Sequence, residues 1–274
     1  MKRRLVSSWS YRRCSLLLLP LIVFVVLYKF LPEEVPTDRP LDHYLSRGFK
    51  SDIQRALDAC GGEPMMTPEE YGFLASMLRS SDTMLEYGSG KSSCIWSKFT
   101  SSVHSIEDSR SWFKFQERSI EGTNRKIYLE RRDRDQIPAS GHRPPSSMAE
   151  YSSYVYRGLR VGHEIGKKFD VILIDGRARP QCAFYAQQVL MNGGIVFLHD
   201  YPDNEGTAFQ HGVFRTHYRI VERWYEVRKL VGTLAMLVPT AANKRFNTGG
   251  VLPDWWWAPI RARDIRRGCQ MPPA

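Results

Sequence analysis

The chain has 274 residues, 42% hydrophobic and 25% charged, enough to close a full core and too apolar for a mainly disordered chain. Its 39 Lys and Arg against 29 Asp and Glu give a formal charge of +10, which taken alone points to a nucleic-acid partner. Six of these charges lie in the first 31 residues and the run Arg261 to Arg267 adds a net three, so the body is nearly neutral; no phosphate-binding face is expected, and no nucleic-acid partner.

In chain order, the first feature is the uncharged run Cys14–Tyr28, CSLLLLPLIVFVVLY. Lys29 can snorkel, which extends the apolar segment through Leu31. A helix over 14–31 is just long enough for a bilayer core of ~30 Å. Arg3, Arg4, Arg12 and Arg13 precede it, while Glu33, Glu34 and Asp38 follow. The positive-inside rule then puts residues 1–13 in the cytosol and the rest across the membrane. The expected topology is a single-pass type II membrane protein of the secretory pathway, with the Golgi as its station and the main domain lumenal. A cleaved signal peptide is the rival, but no small-x-small site follows Tyr28.

Residues 32–66 read as a Pro-containing stem and a leading helix over 41–60, closed by Gly61-Gly62. Thr67-Pro68-Glu69-Glu70 is a helix start with a capping box, and the helix is expected to run to about Arg79. From there strands and helices alternate. Strands are expected at Thr83–Tyr87, Ser102–Ile106, Lys126–Leu129, Phe169–Ile174 and Ile195–Leu198. Helices are expected at Ser92–Phe99, from Arg110, at Ala149–Ile165 and at Pro180–Leu190. Tyr218–Val227 and Gly232–Val238 read as a closing antiparallel pair. The alternation predicts an α/β fold: a doubly wound, mostly parallel sheet over 67–240, with a C-terminal extension over 241–274. Four lumenal cysteines, Cys60, Cys94, Cys182 and Cys269, allow three full pairings, and none has the CxxC spacing of a zinc site.

In such a sheet ligands sit beyond the carboxyl ends of the strands, near the switch point. Those ends are polar here: Glu86-Tyr87-Gly88-Ser89-Gly90, Glu107-Asp108, Asp175-Gly176 and His199-Asp200-Tyr201. Gly88 and Gly90 allow a sharp turn and a close backbone approach to a ligand. An acid ending the next strand, Glu107, is placed to accept hydrogen bonds from ribose hydroxyls.

The motifs LEYGSG (Leu85–Gly90), SIED (Ser105–Asp108), FDVILIDG (Phe169–Gly176) and GGIVFLHD (Gly193–Asp200) resemble those of class I S-adenosylmethionine-dependent methyltransferases with a Rossmann-like fold. The resemblance covers roughly Thr67–Thr240. It implies S-adenosyl-L-methionine as cofactor. Glu86, Tyr87, Gly88, Ser89 and Gly90 would hold its methionine part, and Glu107 its ribose. Asp175 would line the methyl-transfer site, with Asp133 or Glu130 near the adenine. The family's small-molecule O-methyltransferases use acids at strands four and five for a divalent metal. Asp175 and Asp200 stand there, but Tyr201 occupies the place where an amide or second acid commonly follows. His199 is the alternative, a general base titrating near neutral pH. Asp175, His199 and Asp200 are thus the expected catalytic group, methylating an oxygen of a glycan or other lumenal small-molecule acceptor.

Two other classes compete. Asp133-Arg134-Asp135 resembles the metal motif of nucleotide-sugar glycosyltransferases, although it sits in a charged run that reads as a solvated loop. A methyltransferase-like domain without catalysis would keep the same motifs. Arg177 and Arg179 follow strand four, where they would pair with an acidic substrate or stay solvated. Trp255-Trp256-Trp257 suits either a sugar platform or packing of the tail.

Overall fold

A computed structural model describes residues 47–119, 123–131, 151–202 and 215–240. The expected anchor at 14–31, the Asp133/Asp135 run and the three tryptophans lie outside these residues, as do the first part of the stem and the C-terminal extension. No helix among the described residues is long and apolar enough to cross a membrane.

The first helix, α1 (Arg47–Ala59), ends where Gly61 and Gly62 take φ of +74° and +108°, and Gly62 N–H donates to Leu57 O at 2.9 Å. Helix α2 (Pro68–Ser76) starts at the capping box: Thr67 N–H donates to Glu70 Oε2 at 2.9 Å, and Glu70 N–H to Thr67 Oγ1 at 3.3 Å. It stops at Ser76, short of the expected Arg79.

Then follow β1 (Thr83–Tyr87), α3 (Lys91–Trp96), β2 (Ser102–Glu107), α4 (Arg110–Glu117), β3 (Arg125–Leu129), α5 (Ser152–Ile165), β4 (Phe169–Ile174), α6 (Arg179–Val189) and β5 (Leu190–Leu198). The described chain closes with α7 (Arg215–Trp224), β6 (Tyr225–Lys229) and β7 (Ala235–Pro239). The seven strands form one sheet in the order β3-β2-β1-β4-β5-β7-β6. The first five pair in parallel, and β7 joins β5 and β6 antiparallel. The expected doubly wound sheet with a closing antiparallel pair is therefore the architecture observed.

The main departure is at 218–224, expected as strand and found as the body of α7. Tyr218, Val221 and Tyr225 are buried at spacings of three and four, while Glu222 and Arg223 are exposed. That is a helical period. The apolar residues of YRIVERWYEV read equally as alternation over a short window. The strand is confined to the five residues from Tyr225, and its partner starts at Ala235, after a turn in which Gly232 has φ of +58°. Strand β5 also begins earlier than expected, at Leu190, with a register irregularity opposite Phe169–Val171.

One face of the sheet presents Leu85, Tyr87, Ile172, Ile174, Val196 and Leu198 at the alternate positions of β1, β4 and β5. They pack against Tyr154, Val155 and Val161 of α5 and Cys182, Ala183 and Ala186 of α6. Burying each Leu or Ile there contributes about 1.5–3 kcal/mol. The Tyr87 hydroxyl donates to Val155 O at 3.1 Å, and Gly158 lies directly over it.

At the start of the domain, Cys60 is disulfide-bonded to Cys94 of α3, with Cα atoms 5.7 Å apart. Lys91 Nζ donates to Gly61 O at 2.9 Å across the same joint. Of the pairings open from sequence, the structure thus selects Cys60–Cys94. Cys182 is a buried free thiol, its pKa pushed up by burial.

Two stability outcomes follow from these contacts. A Cβ at position 158 would stand 1.9 Å from the Tyr87 hydroxyl oxygen. Gly158→Ala, which should stabilise a free helix, is therefore expected to cost about 1–3 kcal/mol by overpacking. Denaturant unfolding of the variant measures this, and a gain in stability would refute it. Reducing the disulfide, or Cys60→Ser, frees a loop with 34 residues of sequence separation. It is expected to lower the unfolding free energy by about 3–4 kcal/mol, read as a drop in the denaturation midpoint under reductant.

Candidate active site at the carboxyl ends of the strands

The chain runs outward from β1 to β2 and β3, then crosses back to β4 on the other side of β1. The switch point therefore lies between β1 and β4, with Tyr87 beside Ile174 and Ile106. Backbone hydrogen bonds carry the pairing one residue past the strand ends. Gly88 N–H donates to Ile106 O at 2.9 Å, Asp175 N–H to Tyr87 O at 2.9 Å, and His199 N–H to Ile174 O at 3.1 Å. The loops after β1, β4 and β5 are thereby set side by side.

Gly88 has φ of +95°, and a Cβ there would stand 2.8 Å from Gly176 N and Cα. A Cβ on Gly176 would stand 2.9 Å from Gly88 N and 2.0 Å from the Tyr154 hydroxyl. Gly88 and Gly176 thus let the first and fourth loops touch backbone to backbone, where the sequence suggests ligand approach for Gly88. Gly90 is different: a Cβ there would meet nothing nearer than Ser92 Oγ at 3.5 Å, an ordinary contact.

Glu107 ends β2 and turns to the glycine loop. Its Oε2 accepts from Ser89 N–H and Oγ, each at 3.0 Å, and its Oε1 from Ser109 N–H at 2.8 Å. Burial raises its pKa, and these hydrogen bonds work against the rise. Trp112 Nε1–H reaches across to Ser89 O at 2.5 Å, so an indole edge borders the same loop.

Glu86 is not on this edge. Its side chain is fully buried beneath the first turn of α3, accepting from the hydroxyls of Ser92, Ser93 and Ser105. Burial pushes its pKa up to about 7. The Tyr87 side chain points into the opposite face of the core. Of the five residues assigned to the methionine part, the loop Gly88–Gly90 faces the edge, whereas the side chains of Glu86 and Tyr87 are structural. Glu130 is taken by an ion pair with Arg160 at 2.7 Å.

The fourth and fifth loops form a compact charged cluster. His199 Nδ1 lies 2.8 Å from Asp175 Oδ1 and 3.6 Å from Asp200 Oδ2, and Nε2 lies 3.3 Å from Glu70 Oε2. Arg179, at the start of α6, donates through Nη1 to His199 O at 2.7 Å and to Asp200 Oδ2 at 2.8 Å. Its Nη2 reaches Asp175 O at 3.2 Å and Oδ1 at 3.5 Å, and its Nε reaches Gly176 O at 3.0 Å. Thr233, before β7, closes the group by donating its N–H and hydroxyl to Glu70 Oε1 at 2.6 and 2.9 Å. The sequence marked Asp175, His199 and Asp200, and the structure brings all three together. It adds Glu70 and Arg179. Glu70 was legible only as a capping residue, and its signal would have been burial, since it is 2% exposed. Of the two arginines after β4, Arg177 is exposed and Arg179 is internal.

Burial opposes charging His199, but the hydrogen bond and charge of Asp175, then Asp200 and Glu70, outweigh it and raise its pKa above the ordinary imidazole value. Both ring nitrogens face carboxylates, Nδ1 toward Asp175 and Nε2 toward Glu70, and neither is turned to an acceptor hydroxyl, so the expected general-base role does not fit the geometry. Asp175 fits it better: His199 and Arg179 hold Oδ1, Oδ2 has no hydrogen-bond partner among the described residues, and the side chain keeps 22% of its exposure.

Asp175, His199 and Asp200 hold ligand atoms within 4.8 Å of one another, a donor set that by chemistry suits a divalent cation. However, the guanidinium of Arg179 already bridges both carboxylates, and His199 Nδ1 is engaged with them at 2.8 and 3.6 Å. The residues do not fit a metal. Strain is concentrated here as well. The two non-glycine residues with positive φ among those described are Ala178, at +50°, and Asp200, at +52°. One precedes Arg179 and the other is its partner Asp200, and they cost about 1–3 kcal/mol each.

No family model matches the chain, and no curated protein matches it. Similar solved structures include a methyltransferase-like protein from Silicibacter pomeroyi, 22% identical, with 75% of this chain and 94% of that one covered and a TM-score of 0.49. A TehB-like SAM-dependent methyltransferase from Corynebacterium glutamicum is 12% identical, with 70% and 96% covered and a TM-score of 0.40. The MycE methyltransferase of mycinamycin biosynthesis is 11% identical, with 74% of this chain and 57% of that one covered and a TM-score of 0.45. None of these reaches a TM-score of 0.5, and the function proposed below rests on this chain's own residues.

The cluster makes stability depend on pH in a defined direction. A histidine with a raised folded pKa stabilises the fold fully below its unfolded value, near 6.5, and this contribution is lost as pH rises through the folded pKa. Between pH 6 and 9 the wild-type denaturation midpoint is therefore expected to fall relative to that of His199→Gln. Parallel profiles would contradict this.

Proposed function

We propose that the chain is an S-adenosylmethionine-dependent methyltransferase that methylates an oxygen on a glycan or another small-molecule acceptor of the secretory pathway. The observation that carries this reading is the arrangement at the β1/β4 switch point. A glycine loop with the Glu107 carboxylate lies on one side, and the partly exposed Asp175 carboxylate, held by two cations, lies on the other. The edge fits the cofactor: Gly90 leaves its side of the loop open, Glu107 stands where ribose hydroxyls would be read, and Trp112 offers an apolar edge beside Ser89.

When bound, the cofactor supplies an electrophilic methyl group on a sulfonium. Glu107 and the Gly88–Gly90 backbone would hold and orient it. Asp175 Oδ2 would accept the proton of the acceptor hydroxyl as its oxygen takes the methyl group, the S–CH3 bond breaking to leave the neutral thioether. Arg179 and His199 keep the Asp175 carboxylate in place through Oδ1, and Asp200 and Glu70 balance their charge. The proton ends on Asp175 and leaves to solvent through its exposed side.

The disulfide supports a lumenal setting, because such bonds persist in oxidising compartments. With the apolar run at 14–31 it favours a type II anchored protein of the Golgi.

Calorimetry separates this reading from its rivals. S-adenosylmethionine is expected to bind, and Glu107→Gln to weaken binding about 10- to 100-fold through the lost charged hydrogen bonds. Binding only of nucleotide sugars with manganese would overturn the reading in favour of a glycosyltransferase. With labelled cofactor and an extracted glycan and small-molecule pool, wild type should transfer label. Asp175→Asn should lower turnover about 10²- to 10⁴-fold while leaving cofactor affinity nearly unchanged. Binding without any transfer would indicate a non-catalytic domain.

A further inference from the structure

We propose that Arg179 is the built-in cation of the strand-end cluster, occupying the place of a divalent metal and making the site metal-independent. The inference stands whatever cofactor the glycine loop takes.

Three acids meet within the cluster. Asp175 and Asp200 end β4 and β5, and Glu70 comes from α2. Left alone, such a group attracts a hard dication or fails to ionise fully. The guanidinium side chain lies among them with only 8% of its surface exposed. It uses Nε, Nη1 and Nη2 on five acceptor atoms of loops four and five: Gly176 O, His199 O, Asp200 Oδ2, Asp175 O and Asp175 Oδ1. Three of these are backbone carbonyls, which fixes the loops as well as neutralising them. A metal ligated by Asp175 Oδ1 and Asp200 Oδ2 would stand against the same nitrogens, where like charges repel.

The backbone is built to deliver this side chain. Ala178 takes a left-handed conformation, φ 50° and ψ 40°, just before α6, and this turns Arg179 inward while Arg177, two residues earlier, is exposed. Asp200, which Arg179 Nη1 meets at 2.8 Å, is itself left-handed. Arg179 is thus a positioning residue: it acts on the acceptor through Asp175 and does not touch it.

The test is metal binding, with no turnover required. Mn²⁺ is titrated into the full-length protein and followed by calorimetry and by loss of the free Mn²⁺ resonance signal. Wild type is expected to show no saturable binding up to about 1 mM, an affinity range typical of weak hard-cation sites, and no change in Tm with EDTA. Arg179→Gln removes the cation at similar size and is expected to acquire EDTA-reversible Mn²⁺ binding, with a Mn²⁺-dependent rise in Tm. Arg179→Lys keeps a charge and should exclude Mn²⁺ as wild type does. Saturable binding to wild type that is lost in Asp200→Asn would overturn the proposal. So would a folded Arg179→Gln that ignores Mn²⁺. Should Arg179→Gln fail to fold, the wild-type and Arg179→Lys titrations decide, since saturable binding by either overturns it. Cofactor calorimetry on wild type is independent of these arms, so failure here is distinguishable from failure of the methyltransferase reading.

Discussion

The site depends on one close approach, the contact of the Gly88 and Gly176 backbones at the switch point. A Cβ on either residue would come within 3 Å of the other's main chain. The contact draws the first and fourth loops together one residue beyond the last strand pairing, aided by the Asp175 N–H to Tyr87 O hydrogen bond. Everything chemical follows from that proximity. The glycine loop and Glu107 end on one side of it and the Asp175 cluster on the other, closer than two covered strand ends with side chains would allow. The glycines therefore work mainly for packing. Ligand approach is left to Gly90, where the space is open.

Charge is the second organising element. Three carboxylates, one guanidinium and one imidazole share the fourth and fifth loop ends, and no charge in the group lacks a partner of opposite sign. Burial would make any one of them costly alone. Together they hold Asp175 through one oxygen while its side chain keeps partial exposure. The same logic removes His199 as a base, since the neighbours that place it occupy both of its ring nitrogens.

Much of the fold was legible because buried parallel strands such as Phe169–Ile174 read as continuous apolar runs, and because Thr67-Pro68-Glu69-Glu70 spells a helix start. The strand ends were legible for the same reason, since each run stops at a charged residue. Three things were not. Residues 218–224 of the last helix read as strand because the apolar positions of so short a segment satisfy both periods in part. The inward turn of Arg179 depends on one left-handed alanine, and no residue type announces that. Glu70 announced its local capping work and concealed its tertiary work, which depends on residues 129 and 163 positions away.

That last separation bears on how the protein comes into being. Thr233 donates to Glu70, and Glu70 faces His199, so the earliest helix of the sheet domain and the last hairpin meet in one small group. A chain still emerging from the ribosome has the glycine loop, the Glu107 acid and even Asp175 well before it has Thr233. Until the final strands dock, Glu70 keeps its Thr67 N–H but lacks the two Thr233 donors, and the cluster is short of a clamp. A chain that ends before Thr233 thus carries the motifs and all five charged groups without the clamp that the last hairpin supplies.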